Sequence, residues 1–158
     1  MSRKVIIMRG PSGSGKSTFV KKYFPLAPVF SADSFFERLV LDPNPHWVYE
    51  FNPKKIAEAH SDCFNRFTYS VFAKYFETLV VDNTNSQKWE YQNYVLVAEV
   101  LGWDVKIITT MNPLQMSAEE LSIANVHGVP AEVIQSMMDR YEPHSEDIHV
   151  DLYDRYNP

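Results

Sequence analysis

A glycine-rich segment that follows a short apolar run constrains the fold of this chain more than any other feature. Residues 10–17 read G-P-S-G-S-G-K-S, a complete G-x-x-x-x-G-K-[ST] phosphate loop, and residues 4–8 have the apolar pattern of a buried β-strand. Residues 17–24 are predicted to form a helix. In this strand–loop–helix context the backbone N–H groups of the loop bind phosphate oxygens, and the helix N-terminus favours an anion.

The side chains of the phosphate loop indicate its chemistry. Lys16 can reach the β- and γ-phosphates of a nucleotide, and the hydroxyl of Ser17 can ligate Mg²⁺. At the average frequency of glycine, an accidental match to the motif is expected in only about one chain of this length in a few hundred. We therefore predict ATP and Mg²⁺ as cofactors, with nucleotide contacts at Gly10, Pro11, Ser12, Gly13, Ser14, Gly15, Lys16, Ser17 and Thr18.

Composition limits the class of protein. The 158 residues, of which 45% are hydrophobic, suit one α/β domain over residues 1–158. The net charge of −5 argues against a protein that coats nucleic acid through bulk positive charge. Cys63 is the single cysteine, which excludes an intramolecular disulfide and a thiolate metal cluster. Because residues 1–30 lack a signal-peptide pattern and no apolar run has membrane-spanning length, we expect a cytoplasmic protein without membrane contact.

Predicted strands and helices alternate along the chain, which favours an α/β fold around a mainly parallel sheet. Further strands are predicted at 28–32, 78–82 and 104–109, with an edge strand at 148–150. Helices are predicted at 54–77, 89–101, 118–126 and 130–141. One more helix is predicted to begin at Asp33 or Ser34, because Ser34 and Glu37 have the spacing of a capping box. The proline-containing residues 42–53 are predicted to be an exposed loop.

Polar residues stand at the ends of three predicted strands, in residues 10–17, 33–34 and 82–85. Ligands of open α/β sheets bind at the carboxyl ends of strands, so we expect these clusters to converge. Transfer of a γ-phosphate requires a metal-bound nucleotide and a carboxylate that accepts the proton of the acceptor hydroxyl. Asp33 is our candidate for this base, although Asp is also a favoured helix N-cap.

The cluster at 82–85 offers a second carboxylate. Asp82 closes its strand at a position suited to the water shell of Mg²⁺, and it is about equally suited to a turn beside Asn83. Thr84 and Asn85 could hold an acceptor or metal-bound waters, and Asn in a turn also has a plain structural reason. We predict Asp82 and Ser17 as metal ligands and the three residues after Asp82 as acceptor contacts.

An ordered set of motifs gives the chain a family resemblance. Besides the phosphate loop they are S-A-D-S-F-F at 31–36, Y-x-F-N-P at 49–53, E-A-H at 58–60 with Arg66, D-N-T-N at 82–85 before W-E at 89–90, and N-x-H-G-V-P at 125–130. Over residues 4–142 the chain resembles the P-loop kinases related to the 5′-kinase domain of bacteriophage polynucleotide kinase. It resembles the kinase-like domains of NEDD4-binding-protein type still more closely.

The resemblance implies a P-loop NTPase of the kinase type. Its fold is a three-layer α/β sandwich with a central, mainly parallel sheet, a small helical lid at about 116–130 and a C-terminal tail at 144–158. Its implied activity is transfer of the γ-phosphate of ATP to a hydroxyl of a nucleic acid, which is the expected partner. Asp33 falls on the carboxylate that activates the acceptor hydroxyl, Asn83 on a position that holds the acceptor end, and Lys16 and Ser17 on the phosphate and magnesium contacts.

Two departures from the family pattern concern cations. The family's lid supplies arginines, whereas this chain has no Lys or Arg between Lys106 and Arg140. Phe36 stands where the phage pattern has an arginine that binds the phosphate of the acceptor. An arginine at the developing charge of a phosphoryl group can be worth several orders of magnitude in rate. Catalysis is therefore weakened or supplied differently.

Several residues could replace the missing cations, and each also has a structural interpretation. Arg38 could bind an acceptor phosphate or face solvent, and Arg140 could approach the nucleotide or pair with Asp139 or Glu142. Arg66 could contact the acceptor or a core carboxylate. His127 could donate a hydrogen bond near the lid, or simply belong to its turn. Arg9, directly before the phosphate loop, is predicted to be structural.

The acceptor is the least constrained part of the prediction. A polynucleotide 5′-hydroxyl leads, and a hydroxymethylated base in DNA, such as 5-hydroxymethyluracil, gains support from Phe36. The sequence is also compatible with a kinase of a nucleoside or metabolite, and with a non-catalytic ATP-binding module whose lid lacks arginines. Aromatic residues could stack on bases or fill the core, namely Phe35, Phe36, Trp47, Tyr49 and Phe51.

Overall fold

The computed structural model describes residues 2–111 and 116–150. The strands are β1 (Lys4–Arg9), β2 (Val29–Phe30), β3 (Glu37–Val40), β4 (His46–Tyr49), β5 (Thr78–Asp82), β6 (Asp104–Thr109) and β7 (Asp147–His149). The α-helices are α1 (Lys16–Tyr23), α2 (Ile56–Ala73), α3 (Lys88–Val100), α4 (Ala118–Ala124) and α5 (Ala131–Asp139). Short 3₁₀ turns occupy Asp33–Phe36 and Pro53–Lys55.

The main sheet is parallel throughout and confirms the predicted three-layer sandwich. Its strand order is β2-β5-β1-β6-β7, so β1 lies at the centre between β5 and β6. Successive side chains of a strand point to opposite faces. Val5 and Ile7 accordingly pack with α2 and α3 on one face, and Ile6 and Met8 pack with α1 on the other. All four side chains are fully buried, which explains why β1 reads as a continuous apolar run.

The segment after β2 differs from the prediction. The helix expected from Asp33 or Ser34 is only the 3₁₀ turn at Asp33–Phe36, and the expected loop at 42–53 contains β4, which pairs antiparallel with β3. The physical reason is the burial of Phe36, whose ring packs edge-on against Tyr49 and Phe51. A turn in which the Asp42 carboxylate accepts a hydrogen bond from the N–H of Asn44 joins the two strands.

The remaining predicted elements are present with small differences in their ends. Residues 78–82 and 104–109 form β5 and β6 as predicted, and the edge strand β7 begins one residue before the predicted 148–150. The long helix predicted at 54–77 is α2, which ends at Ala73 because Lys74 adopts a left-handed φ of 54°. Among the helices of the described ranges, none is long and apolar enough to cross a membrane.

The predicted lid at about 116–130 spans α4 and the loop that joins it to α5, and its role as a lid stays a prediction. Both helices share a small apolar cluster of their own around Ala118, Leu121 and Ile134. This cluster is separate from the two that cover the main sheet. The two helices α4 and α5 with their connecting loop, called the lid below, therefore form a unit packed mainly on itself. The predicted tail lies beyond this unit. The part of that tail at 151–158 is outside the described residues.

Candidate active site

The phosphate loop lies between the carboxyl ends of β1 and β6. Gly13 and Gly15 adopt left-handed φ angles of 82° and 88°, which a residue with a Cβ rarely adopts. The Ser14 hydroxyl lies 2.6 Å from that of Thr110, just after β6, and the N–H of Gly10 donates to the carbonyl of Thr84 at 2.9 Å. These bonds fix the loop to its neighbouring strands.

Lys16 is folded back over the loop that it is predicted to serve. Its Nζ donates to the carbonyls of Gly10 at 2.9 Å and Pro11 at 3.1 Å. Burial lowers the pKa of the Lys16 ammonium, while the carboxylates of Asp82 and Asp33 act in the opposite direction. The three polar clusters converge as the sequence predicted, because Ser17 of the loop bonds Asp82, and Asn83 bonds the N–H of Ala32, the residue before Asp33.

Ser17 and Asp82 form the predicted metal pair. The Ser17 Oγ donates to Asp82 Oδ2 at 2.7 Å, and Asp82 is 9% exposed at the end of β5. The other carboxylate oxygen, Oδ1, is buried and has no hydrogen-bond partner among the described residues. A hydroxyl and a carboxylate oxygen are donors that suit Mg²⁺, which typically takes only one or two protein ligands besides phosphate oxygens and waters. The residues present therefore fit this metal.

Asp33 meets two aromatic side chains from other parts of the chain. Tyr49, the last residue of β4, donates its hydroxyl to Asp33 Oδ1 at 3.0 Å. The Nε2 atom of His127, in the lid, lies 3.6 Å from Asp33 Oδ2. Burial, with the Asp33 carboxylate as the next cause, raises the pKa of Tyr49, so this hydroxyl stays a donor at neutral pH. Asp33 thus lies where the lid meets the β3–β4 hairpin.

The residues after Asp82 hold the framework of the site. Asn83 accepts a hydrogen bond from the N–H of Ala32 at 2.8 Å, which fixes the residue before Asp33. Asn85 is 2% exposed, adopts a left-handed φ of 47° and donates to the carbonyl of Met8. The structure gives both residues a positioning role, and their predicted acceptor contacts stay predictions. Thr84 is partly exposed, and its acceptor contact stays a prediction.

The candidate arginines have different surroundings. Arg38 lies on β3 and not on the expected helix. It is exposed there and forms an ion pair with Glu50, the residue after β4. Arg66 bonds Asp62 at 2.8 Å and the carbonyl of Ser31 at 3.0 Å, so it supports the segment that carries Asp33. Both arginines are thus paired with groups of the chain itself, and their predicted acceptor contacts stay predictions.

Arg140 caps the C-terminus of α5 and is exposed. In the part of the chain that the structure describes, no ion pair joins it to Asp139 or Glu142, and its nucleotide contact stays a prediction. Thr18 is exposed on the first turn of α1, beside the phosphate loop. Arg9 is fully buried and makes five hydrogen bonds, which confirms its structural role.

The lid touches the phosphate loop directly. A Cβ at Gly13 would collide with the carbonyl of Leu121 in α4, and the Ser12 hydroxyl lies 3.7 Å from the sulfur of Met137 in α5. Both lid helices therefore cover the loop. Sequence reasoning missed the contacts of Asp33 with Tyr49 and His127, although both residues belong to the motifs at 49–53 and 125–130.

Comparison with known proteins places this site in context. The chain is 29% identical to human NEDD4-binding protein 2 over 141 residues. The aligned region covers 87% of this chain and 8% of that protein. It therefore spans less than a tenth of that relative. A sugar kinase from Janibacter sp. HTCC2649 has a TM-score of 0.60 at 18% identity, over 98% of this chain and 88% of its own.

A gluconokinase from Sinorhizobium meliloti 1021 has a TM-score of 0.57 at 16% identity, over 96% of this chain and 84% of its own. These two likenesses show a shared kinase-like fold. The predicted P-loop kinase-like fold is thereby confirmed, while the narrower polynucleotide kinase assignment stays a prediction. The model of the AAA domain family matches residues 5–144 of this chain. The phosphate loop follows the central strand β1. The chain therefore belongs to this family as a P-loop kinase-like domain.

Proposed function

We propose that the chain is an ATP- and Mg²⁺-dependent kinase that transfers the γ-phosphate to a hydroxyl group of a nucleic acid. The observation that carries the proposal is the convergence of Lys16, Asp82 and Asp33. Ser17, next to Lys16, donates to Asp82 Oδ2 at 2.7 Å. Asn83, next to Asp82, accepts from the N–H of Ala32, next to Asp33, at 2.8 Å. Phosphoryl transfer needs this combination of a phosphate-binding cation, a metal-binding carboxylate and a proton acceptor.

The residues have separate tasks in this reaction. Lys16 exchanges its bonds to the loop carbonyls for bonds to phosphate oxygens. Ser17 and Asp82 would hold Mg²⁺, which would offset the charge of the phosphates. The acceptor oxygen forms its bond to the γ-phosphorus while the bond from that phosphorus to the β–γ bridging oxygen breaks. The acceptor proton passes to Asp33, and ADP leaves. The Tyr49 hydroxyl fixes the rotation of the Asp33 carboxylate, because it binds Oδ1 and leaves Oδ2 for the acceptor.

A nucleic-acid acceptor is supported by the family resemblance and by the surface next to the 3₁₀ turn that begins at Asp33. An open groove of about 480 Å³ runs between the 3₁₀ turn and the hairpin, lined by Phe35, Phe51 and Lys55 among others. Phe51 is 53% exposed, and the Lys55 ammonium lies 5.9 Å from the ring of Phe35. Exposed rings beside a cation suit a nucleobase and its phosphate.

A hydroxymethylated base is the second candidate acceptor, and Phe36 favours it. This side chain is 7% exposed and lies in the core, so it leaves no cation where the phage pattern has an arginine for the acceptor phosphate. A hydroxyl on a base is presented without that flanking phosphate. Two aromatic rings also lie near Asp33: Tyr49 donates its hydroxyl to Oδ1, and the ring of His127 lies 4.3 Å from that of Tyr49 between centroids.

The test is transfer of labelled γ-phosphate from ATP to a panel of acceptors. The panel holds 5′-hydroxyl DNA, 5′-hydroxyl RNA, end-blocked DNA with hydroxymethylated bases, free nucleosides and sugars. We expect label on a nucleic acid, and label confined to nucleosides or sugars would contradict the acceptor class. Lys16→Ala should abolish transfer, since the phosphate-binding cation is lost.

Asp33→Asn separates the proton acceptor from nucleotide binding. The variant keeps the shape of the side chain, so ATP should bind normally while transfer falls by about 10² to 10⁴. Asp42→Asn, an exposed carboxylate of the hairpin turn, is the matched control and should behave as the wild type. Unchanged transfer by Asp33→Asn would reject the base assignment.

A further inference from the structure

His127 is the lid residue that reaches the proposed base. It lies in the loop between α4 and α5, its side chain is 28% exposed, and its ring centroid lies 4.3 Å from that of Tyr49. Asn125 holds this loop: its amide oxygen accepts from the N–H groups of His127 and Val129, and its amide nitrogen donates to the carbonyls of Ser122 and Val129. The imidazole is therefore presented to Asp33 by an internally bonded turn.

The distance between His127 and Asp33 defines a place for one oxygen atom. Nε2 and Oδ2 are 3.6 Å apart, which is too long for a direct hydrogen bond. An oxygen about 2.8 Å from both atoms satisfies ordinary hydrogen-bond lengths. The other carboxylate oxygen, Oδ1, already accepts from Tyr49. Oδ2 is thus the oxygen that faces the gap.

We propose that the acceptor hydroxyl bridges Asp33 Oδ2 and His127 Nε2, to the side of the line that joins the two atoms, and that His127 is the lid's acceptor-holding residue. The inference rests on the proposed kinase function. The hydroxyl donates its proton to Oδ2, accepts a hydrogen bond from Nε2–H, and keeps one lone pair for the γ-phosphorus. As the bond from oxygen to phosphorus forms and the bond to ADP breaks, the proton moves to Asp33. His127 keeps its own proton throughout.

Placement of the hydroxyl is what this arrangement contributes. The transition state of phosphoryl transfer is loose, so the rate depends more on alignment and electrostatic stabilisation than on activation of the nucleophile. Because His127 is on the lid, the acceptor is held on both sides only when the lid covers the phosphate loop. The same lid contacts that loop through Leu121 and Met137. Lid closure therefore joins the two substrate sites.

The test compares His127→Ala, His127→Gln and the control Val126→Ala in the full chain, using whichever acceptor of the panel the wild type labels. Without the ring, kcat/KM for the acceptor should fall by about 10- to 100-fold, the cost of a misplaced reactant. The Kd for ATP measured without acceptor should stay within about twofold. Gln keeps an N–H donor and should recover most of the loss. Val126→Ala changes a neighbouring side chain that is 88% exposed, so its kcat/KM for the acceptor should equal that of the wild type.

The outcomes separate this inference from the proposed function. Equal kcat/KM for His127→Ala and wild type overturns the inference, and so does a loss confined to ATP binding. Failure of Gln to recover activity indicates that only the shape of the loop matters, which also overturns it. If only a nucleoside or sugar is labelled and His127→Ala reduces that labelling, the nucleic-acid function is refuted and the inference is supported. If the wild type labels no acceptor, both are refuted.

Discussion

The buried ion pair between Arg9 and Asp147 permits a quantitative prediction. Both side chains are fully buried, and Arg9 Nη1 lies 2.7 Å from each carboxylate oxygen of Asp147. The pair joins the end of the central strand β1, directly before the phosphate loop, to the edge strand β7. The other guanidinium nitrogens donate to the backbone carbonyls of Asn85, Ser86 and Glu142. The rings of Tyr91 and Tyr141 pack against the guanidinium.

Asp147→Ala leaves the guanidinium of Arg9 buried without a counter-charge. Among the described residues, Asp147 is the one carboxylate within 4 Å of Arg9. Removing one partner of a buried pair costs about 3–5 kcal/mol of unfolding free energy. A domain has about 5–15 kcal/mol in total, so the variant loses a large share of its stability. At about 2–4 °C per kcal/mol for a chain of this size, Tm should fall by about 6–20 °C.

The assay is urea unfolding followed by intrinsic fluorescence, together with thermal unfolding. Arg9→Met combined with Asp147→Leu should recover most of the loss, because no buried charge then lacks a partner. Glu146→Ala removes an adjacent exposed carboxylate and should change stability by less than about 0.5 kcal/mol. A loss below about 1 kcal/mol for Asp147→Ala would show that the pair does not balance a desolvated charge and would refute the reasoning.

Three further changes test the site and its surroundings. Gly13→Ala puts a Cβ against the Leu121 carbonyl at a left-handed φ, so the Kd for ATP by calorimetry should rise about 10-fold or more. Asp82→Asn removes a charged ligand, and the Mg²⁺ concentration for half-maximal transfer should rise about 10- to 100-fold. Burial raises the pKa of Tyr91 to about 12. Because the folded state holds this proton more tightly, its stabilising effect is complete below about pH 10 and is lost as pH rises through 12.

Each of these predictions has a control. Gly128→Ala also changes a left-handed glycine, but its Cβ meets no atom within 4 Å, so only backbone strain is shared with Gly13→Ala. Equal effects of the two on the Kd for ATP would contradict the role of the lid contact. An unchanged Mg²⁺ requirement in Asp82→Asn would remove Asp82 from the metal site. Tyr91→Phe should lessen the alkaline loss of stability, and an identical pH profile would assign that loss elsewhere.

Much of the fold follows from local sequence because the central strands are buried on both faces. The runs at β1, β5 and β6 are apolar at successive positions, which is the pattern of parallel strands between helical layers. The phosphate loop is equally local, since its glycines and Lys16 are contiguous. Once these strands are assigned, Asp33 and Asp82 must lie near the loop, because parallel strands bring their carboxyl ends to one edge.

The hairpin could not be predicted in the same way because a tertiary contact decides it. Ser34 and Glu37 match a capping box locally, yet the burial of Phe36 against Tyr49 and Phe51 ends the helical turn after Phe36. Strand pairing between β3 and β4 then replaces the helix. Such competition between local propensity and packing leaves no trace in a single sequence.

The lid without arginines fits the geometry at Asp33. An arginine in a kinase lid stabilises the negative charge of the phosphates, and its attraction to them also favours closure of the lid on ATP. In this chain the lid reaches the phosphate loop through a carbonyl and a thioether, at Leu121 and Met137, which offer no positive charge. Its polar contact is with the acceptor side, through His127. If the acceptor binds to Asp33 and His127 as proposed, we expect ATP alone to favour closure weakly and the acceptor to add the hydrogen bonds that hold the lid shut. Under this proposal the lid limits loss of the γ-phosphate to water, because the closed site would form mainly when the acceptor is bound.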